Sequence, residues 1–243
     1  ETDVQIEILP PSFMSDALAS GTIDGFCVGE PWNSVAVSRG AGRIVTTKSR
    51  IWASSPEKVL GVRQSWADDN GDILAALIRA LQEAAVWCED NANRKALAVL
   101  LARPEYIGIE ARTIERALNG DAHFSANSGG ATFPWKSHAL WLYTQMVRWG
   151  QVQHTGEAVE LAKATYRPDI YRAALEATET AVPAANSKVE GALTIPTVVG
   201  AGRSMLEIGP DGFFDGLIFD PDDIDGYIAR QSQSPLPKNY TTV

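Results

Sequence analysis

The chain has 243 residues, 45% hydrophobic and 21% charged, with 21 basic against 30 acidic side chains and a formal charge of −9. This is the composition of a folded globular protein with material for a sizeable core, and the length allows one large domain or two smaller ones. The acidic balance argues against direct nucleic-acid binding, which needs a basic patch, and against an anionic membrane surface. A small anionic ligand is not excluded, because charge beyond a Debye length of about 8 Å is screened and one cation in a cleft can set the local potential.

Cys27 and Cys88 are the two cysteines, too few for a disulfide framework or a cysteine zinc site, and both are read as buried free thiols. No window holds the roughly 18 apolar residues of a membrane span. The opening "ETDVQIEILPP" has no initiator Met, basic region or apolar leader, so the natural N-terminus is expected upstream and localisation cannot be read from it.

In chain order, "VQIEIL" alternates apolar and polar residues up to Pro10 and Pro11 and predicts a strand entering a loop. "FMSDALASG" predicts a short helix ended by Gly21. "TIDGFCVGE" predicts a buried strand, "PWNSVAVSRG" a helix opened by Pro31, and "GRIVTT" and "VLGVR" further strands. That alternation suits an α/β layer with a parallel sheet. Ile73, Leu77, Ala80, Leu81, Ala84, Trp87 and Cys88 then recur at helical spacing on one face, after Asp68, Asp69 and Asp72. "DNANRKALAVLLA", "GIEARTIERALNG" and "FPWKSHALWLYTQMVRWGQV" predict three more helices, the first capped by Asn or Asp and the second closed by Gly120. From Pro183 the helical signal fades. "GPDGFFDGLIFDPDDIDGYI" is expected to wrap the surface with a short helix at "DDIDGYI". The second half thus has more helices than strands for them to cover, which suggests that part of the sheet lies outside this sequence.

"DGFCVGEPWN" concentrates residues of special backbone chemistry. Gly29, without a side chain, lets a backbone N–H approach a bound group closely, and the N–H groups and dipole of the helix after Pro31 would face the same space. In α/β sheets ligands sit beyond the carboxyl ends of strands, so this stretch is a candidate anion site. The alternative is a plain turn, with Trp32 plugging the core. Lys58 in "SSPEKVLGV" is either a solvated loop lysine or the cation of that site, where a hydrogen bond to a charged group is worth about 1.5–3 kcal/mol. His123, His138 and His154 lack metal-ligand spacing, and His138 is read as a packed helix histidine. Asp220, Asp222, Asp223 and Asp225 lack calcium-loop spacing and read as a solvated edge. Trp135, Trp141, Trp149 and Tyr143 are read as core. No nucleotide-loop or nucleophile-elbow motif is present.

"DGFCVGEPWNSVAV", "PEKVLGV", "WCEDNANR" and "FPWKSHALWLYTQMVRWGQV" together resemble the nitrate- and bicarbonate-binding branch of ABC-transporter solute-binding proteins. This branch is related to the cytoplasmic nitrate and nitrite sensor that controls an RNA-binding antiterminator. The resemblance implies a two-lobed α/β fold of the type II periplasmic-binding-protein kind, closing on its ligand and here lacking its N-terminal segments. Residues 1–57 would be the latter part of lobe 2, and residues 58–243 the C-terminal part of lobe 1 with its tail. It implies binding without catalysis, cofactor or metal. Three ligand positions carry over: Pro11 lining the anion pocket, Gly29 giving its N–H, and Lys58 supplying charge to nitrate. Bicarbonate binders place an acidic residue near Lys58, which favours nitrate or nitrite. Glu30, Pro31, Trp32 and Cys27 would support the turn, with Trp32 and Cys27 holding it rigid by packing. The implied partner is an ABC permease, with a periplasmic location; the alternative is the antiterminator regulator and the cytoplasm. An iron-site synthase of thiamine-precursor type would need more His and Cys than are present, and a purely structural helical module is the remaining rival.

Overall fold

The computed structural model describes residues 4–120, 130–202 and 204–231. They form two compact units, Glu1–Ile51 with Trp87–Ser125 and Trp52–Val86 with Ala126–Val243.

In the first unit, α1 (Met14–Ala19) and α2 (Trp32–Ser38) pack together and Arg39 pairs with Asp16 at 2.8 Å. Gly21, at φ 72°, ends α1 in the left-handed region that glycine adopts without strain. The short α3 (Lys48–Ile51) follows. Later in the chain come α6 (Arg94–Leu101), preceded by a 3-10 turn that Asp90 caps through the Ala92 N–H, and α7 (Ala111–Asn119). Val35 and Ala36 of α2, Leu97 and Ala98 of α6, and Ile114 and Ala117 of α7 are the buried apolar residues here. The Arg94 guanidinium donates to Leu118 O and to Asn119 Oδ1, fastening α6 to α7.

The second unit holds α4 (Gln64–Asp69), α5 (Gly71–Glu89, to Val86), α8 (Lys136–Arg148), α9 (Gly156–Thr165), α10 (Pro168–Leu175) and α11 (Ile224–Arg230). One antiparallel hairpin joins β1 (Thr197–Ala201) to β2 (Ser204–Ile208), with Thr197 opposite Ile208. Leu140, Tyr143 and Val147 of α8 meet Phe219, Ile224 and Tyr227 in the main cluster. A second cluster joins Phe133, Trp135, Tyr171 and Leu175 to Ile78 and Val182. Trp52 is buried against Trp141, Phe213 and His138, with ring centroids 4.6, 4.7 and 5.5 Å away. Gly191, at φ 84°, has no room for a side chain, since a Cβ would lie 2.8 Å from Leu217 O.

Several expectations are corrected. The segments at 4–9, 22–30, 42–47 and 59–63 are in no strand among the described residues. A strand exists only through its ladder, and these segments have none, so Ile8 (90%), Val45 (84%) and Val59 are exposed in place of being buried. The tail expected on the surface supplies Phe219, Ile224 and Tyr227 to the core. On α5 the apolar stripe of Ile73, Leu77 and Leu81 faces solvent, while Leu74 and Gln82 are buried. Gln82 Oε1 accepts from Thr132 and Tyr171, which explains a polar residue on the inward face.

α9 starts at Thr155, whose Oγ1 accepts from Ala158 N at 3.1 Å. Thr155→Ala is expected to lower stability by about 1 kcal/mol in urea unfolding, with no change in the slope of the transition.

Candidate functional site

The stretch Cys27–Trp32 forms a turn that leads into α2. Pro31 is the N-cap of α2 and is buried, and Trp32 is half-buried. Gly29 is exposed, and its N–H makes no hydrogen bond among the described residues. Asn33 Nδ2 donates to Val28 O at 2.9 Å, and Ser34 N donates to Glu30 Oε2 at 3.2 Å. These two bonds, one on each side of Gly29, tie the turn to the helix it feeds. One expectation is thereby corrected. Cys27 is an exposed free thiol, so it does not hold the turn by packing. At the start of α2 the Glu30 carboxylate takes up one amide, that of Ser34. Among the described residues the backbone N–H groups of Cys27, Val28, Gly29 and Glu30 make no hydrogen bond, and Gly29 is the one that no side chain screens.

Pro11 opens a 3-10 turn, Pro11–Phe13, running straight into α1. Since α1 packs on α2, the Pro11 turn and the Gly29 turn feed two helices that support one another. Lys58 belongs to the second unit. Its side chain is 83% exposed and its Nζ lies 3.0 Å from Glu57 Oε1. An exposed pair of neighbours of this kind contributes about 0–1 kcal/mol, so the Lys58 ammonium can exchange Glu57 for another anion at little loss.

Sequence reasoning missed the main buried charge centre, which lies in the second unit. Lys188 Nζ donates to Glu190 Oε2 and, at 2.8 Å, to Asp211 Oδ2. Ser137 Oγ donates to Glu190 Oε1 at 2.6 Å, and Leu193 N to Asp211 Oδ1 at 2.9 Å. His138 Nε2 lies 3.4 Å from Glu190 Oε1. Burial alone would raise the Glu190 carboxyl, but His138 and Lys188 outweigh it and hold Glu190 below its ordinary value of 4.5. Every carboxylate oxygen has a donor from within the chain, so the centre ties the 188–193 segment and the tail to α8 and leaves no acceptor for a substrate. Lys188, Glu190 and Asp211 carry no spacing that marks them in advance; the chain path alone brings them together.

The remaining candidates are structural. Asp223 Oδ1 caps α11 through Gly226 N, Asp220 Oδ1 accepts from Asp222 N, and Asp225 bonds His154 Nε2 at 2.6 Å. Tyr143 Oη meets His154 Nδ1 at 2.8 Å, completing a chain from core to surface. Trp135 and Tyr143 are buried, but Trp149 is exposed beneath the Arg148 guanidinium. An open pocket of about 400 Å³ is lined by Gln64, Lys136, Ala164, Arg167, Pro168, Asp169 and Asn186. It contains none of the predicted ligand residues, and its Arg167 is neutralised by Asp169 at 2.7 Å. Among the described residues no cluster could hold a metal ion, and no helix is long and apolar enough to cross a membrane.

Comparison with known proteins adds family and fold to this geometry. Residues 1–102 match the model of the NMT1-like family. Over 241 residues the chain is 32% identical to the nitrate/nitrite binding protein NrtA of Synechococcus elongatus, covering 93% of this chain and 50% of that protein. Over 246 residues it is 32% identical to the bicarbonate transport ATP-binding protein CmpC of the same species, covering 99% of this chain and 34% of that one. The crystal structure of the periplasmic nitrate-binding protein NrtA from Synechocystis PCC 6803 superposes with a TM-score of 0.74 at 25% identity, over 93% of this chain and 58% of that chain. The chain thus spans about half the length of the nitrate-binding relatives it matches, and its fold is part of the type II periplasmic-binding-protein architecture. Over most of its own length and about half of theirs, the chain is thus similar to proteins named for nitrate binding, and its residues 1–102 match the NMT1-like family.

Proposed function

We propose that the protein binds a small oxyanion, nitrate or nitrite, without chemical conversion, and works in the periplasm as the solute-binding component of an ABC transporter. The observation that carries this reading is the exposed Gly29 N–H, without a partner among the described residues, on a turn fastened at both sides, in a chain similar over 93% of its length to a nitrate/nitrite binding protein. In this reading Gly29 gives a hydrogen bond to one anion oxygen, Lys58 supplies the positive charge, and Pro11 lines the pocket without competing as a donor.

Nitrate carries one delocalised charge, so one cation and a few neutral donors balance it. The net charge of −9 does not prevent this, because screening over about 8 Å leaves the nearest cation in control. Lys58 also separates the anions. An acidic side chain in its place would suit a ligand that brings a proton, as bicarbonate does, and Lys58 does not. A relative named for bicarbonate transport and carrying an ATP-binding function shares this region, which supports a transport setting over the antiterminator-regulator alternative.

Calorimetric titration of the intact protein with nitrate, nitrite and bicarbonate tests the reading. Nitrate and nitrite are expected to bind, with bicarbonate at least about tenfold weaker, a difference of 1.4 kcal/mol. Bicarbonate binding as tightly as nitrate, or no heat with any of the three, would overturn it.

A further inference from the structure

A backbone N–H is useful to an anion only if it points at it, since hydrogen bonds weaken steeply when the donor angle falls below about 120°. Gly29 is the residue least able to secure its own direction, because without a Cβ its backbone explores more conformations than any other. A glycine donor in an exposed turn therefore needs an external constraint, and the structure contains one.

The N–H of Gly29 and the C=O of Val28 belong to the same peptide unit. That unit is planar and trans, as cis bonds occur only at Glu30–Pro31 and Gly209–Pro210 among the described residues, so its N–H and C=O point in opposite directions. Whatever holds the carbonyl of Val28 also aims the N–H of Gly29. The Asn33 carboxamide, on the first turn of α2, holds that carbonyl at 2.9 Å from a half-buried position. Glu30 restrains the other side of Gly29 by accepting from Ser34 N. The amide left pointing outward by this arrangement is without a partner among the described residues.

We propose that Asn33 is a positioning residue of the anion site: it does not touch the anion but fixes the direction of the Gly29 N–H by gripping the opposite end of the same peptide plane. This inference rests on the anion-binding reading above and adds to it a residue that neither the composition nor the glycine itself reveals. A side chain at 33 without a donor removes the grip. Asn33→Asp keeps the shape but presents oxygen to the Val28 carbonyl, and Asn33→Leu keeps the volume without any polar atom.

The test measures two quantities on the intact protein and both variants: the nitrate dissociation constant and the ¹⁵N order parameter of the Gly29 amide without nitrate. In the unsubstituted protein the Gly29 amide resonance is expected to move on nitrate addition and its order parameter to be that of rigid backbone, about 0.85. In Asn33→Asp and Asn33→Leu the order parameter is expected to fall below about 0.6 and nitrate to bind about fivefold more weakly. Two variants are used so that a folding defect in one leaves the other to decide. Nitrate affinity within a factor of two of the unsubstituted protein, or weaker binding with the Gly29 amide as rigid as before, would overturn the role of Asn33 while leaving the site in place. A Gly29 amide that ignores nitrate in the unsubstituted protein, although nitrate binds elsewhere, would remove the site and Asn33 with it.

Discussion

Lys188→Met is expected to destabilise the second unit by about 3–5 kcal/mol at neutral pH, the usual effect of stranding a buried charge by removing its partner. Methionine keeps much of the aliphatic stem, so the loss isolates the ammonium, which bonds both carboxylates and lies 5.9 Å from the Trp135 ring centroid. Glu190, 0% exposed, and Asp211, 1% exposed, would then face one another without the cation that bonds both. The acid sensitivity should also weaken. In the unsubstituted protein His138 and Lys188 hold the Glu190 carboxyl below 4.5 against burial, so its ionised form contributes stability that is present at neutral pH and lost as pH falls through that depressed value. In Lys188→Met the His138 contribution remains and that of Lys188 is gone, so less stability should be lost on acidification. Urea unfolding at pH 7 and at about pH 4, below the ordinary carboxyl value, measures both effects. A loss at pH 7 under about 1 kcal/mol, below the range for a stranded buried charge, or the same acid sensitivity as the unsubstituted protein, would contradict this account.

Phe219→Ala is expected to have a loss of similar size, about 3–5 kcal/mol, from deleted apolar contacts plus the cavity left behind. Phe219 is fully buried, stacks edge-on against Tyr227 at 4.9 Å and exchanges two backbone hydrogen bonds with Glu190 at 2.9 Å. The backbone bridge survives the substitution, so the effect reports the ring. Phe214, five residues earlier and 75% exposed, serves as the internal control, and Phe214→Ala should stay within about 0.5 kcal/mol. Equal effects from the two would mean that the tail does not pack as described.

Helices were legible in the sequence wherever punctuation and period agreed. Gly21 marks the end of α1, Pro31 the start of α2, and the aromatic run after Pro134 the body of α8. Two helices were overlooked although signals were present: Thr155 caps α9, and Pro168 stands at the first position of α10. The strands failed for a different reason. "VQIEIL" and "GRIVTT" have strand composition, but composition cannot supply a neighbour, and no ladder forms on them among the described residues. The apolar stripe of α5 misled in the same way, since periodicity reports that a face is apolar and not that something covers it. The tail was misjudged because its Gly, Pro and Asp content hides the deeply buried Phe219 and Tyr227.

At the candidate site, Gly29 and Pro31 could be singled out because special backbone positions restrict the residue type. Glu30 is singled out only through the resemblance, as a support of the turn, and Asn33 not at all, because any polar residue can stand at the start of a helix and only coordinates reveal that these two bond Ser34 N and Val28 O. Burial statistics place a free cysteine in packed surroundings, and Cys27 departs from them by being exposed. Lys58 stood out as the basic residue beside an apolar run in "PEKVLGV", and its loose pairing with Glu57 keeps its ammonium available.

The most direct check of the central claim is the nitrate dissociation constant of the intact protein with Lys58 and with Lys58→Ala, measured by calorimetry at one ionic strength. Loss of a charge-assisted hydrogen bond of about 1.5–3 kcal/mol predicts weakening by roughly 10-fold to 150-fold. Weakening below about threefold, or roughly 0.7 kcal/mol, would show that nitrate is held without Lys58 and contradict the account.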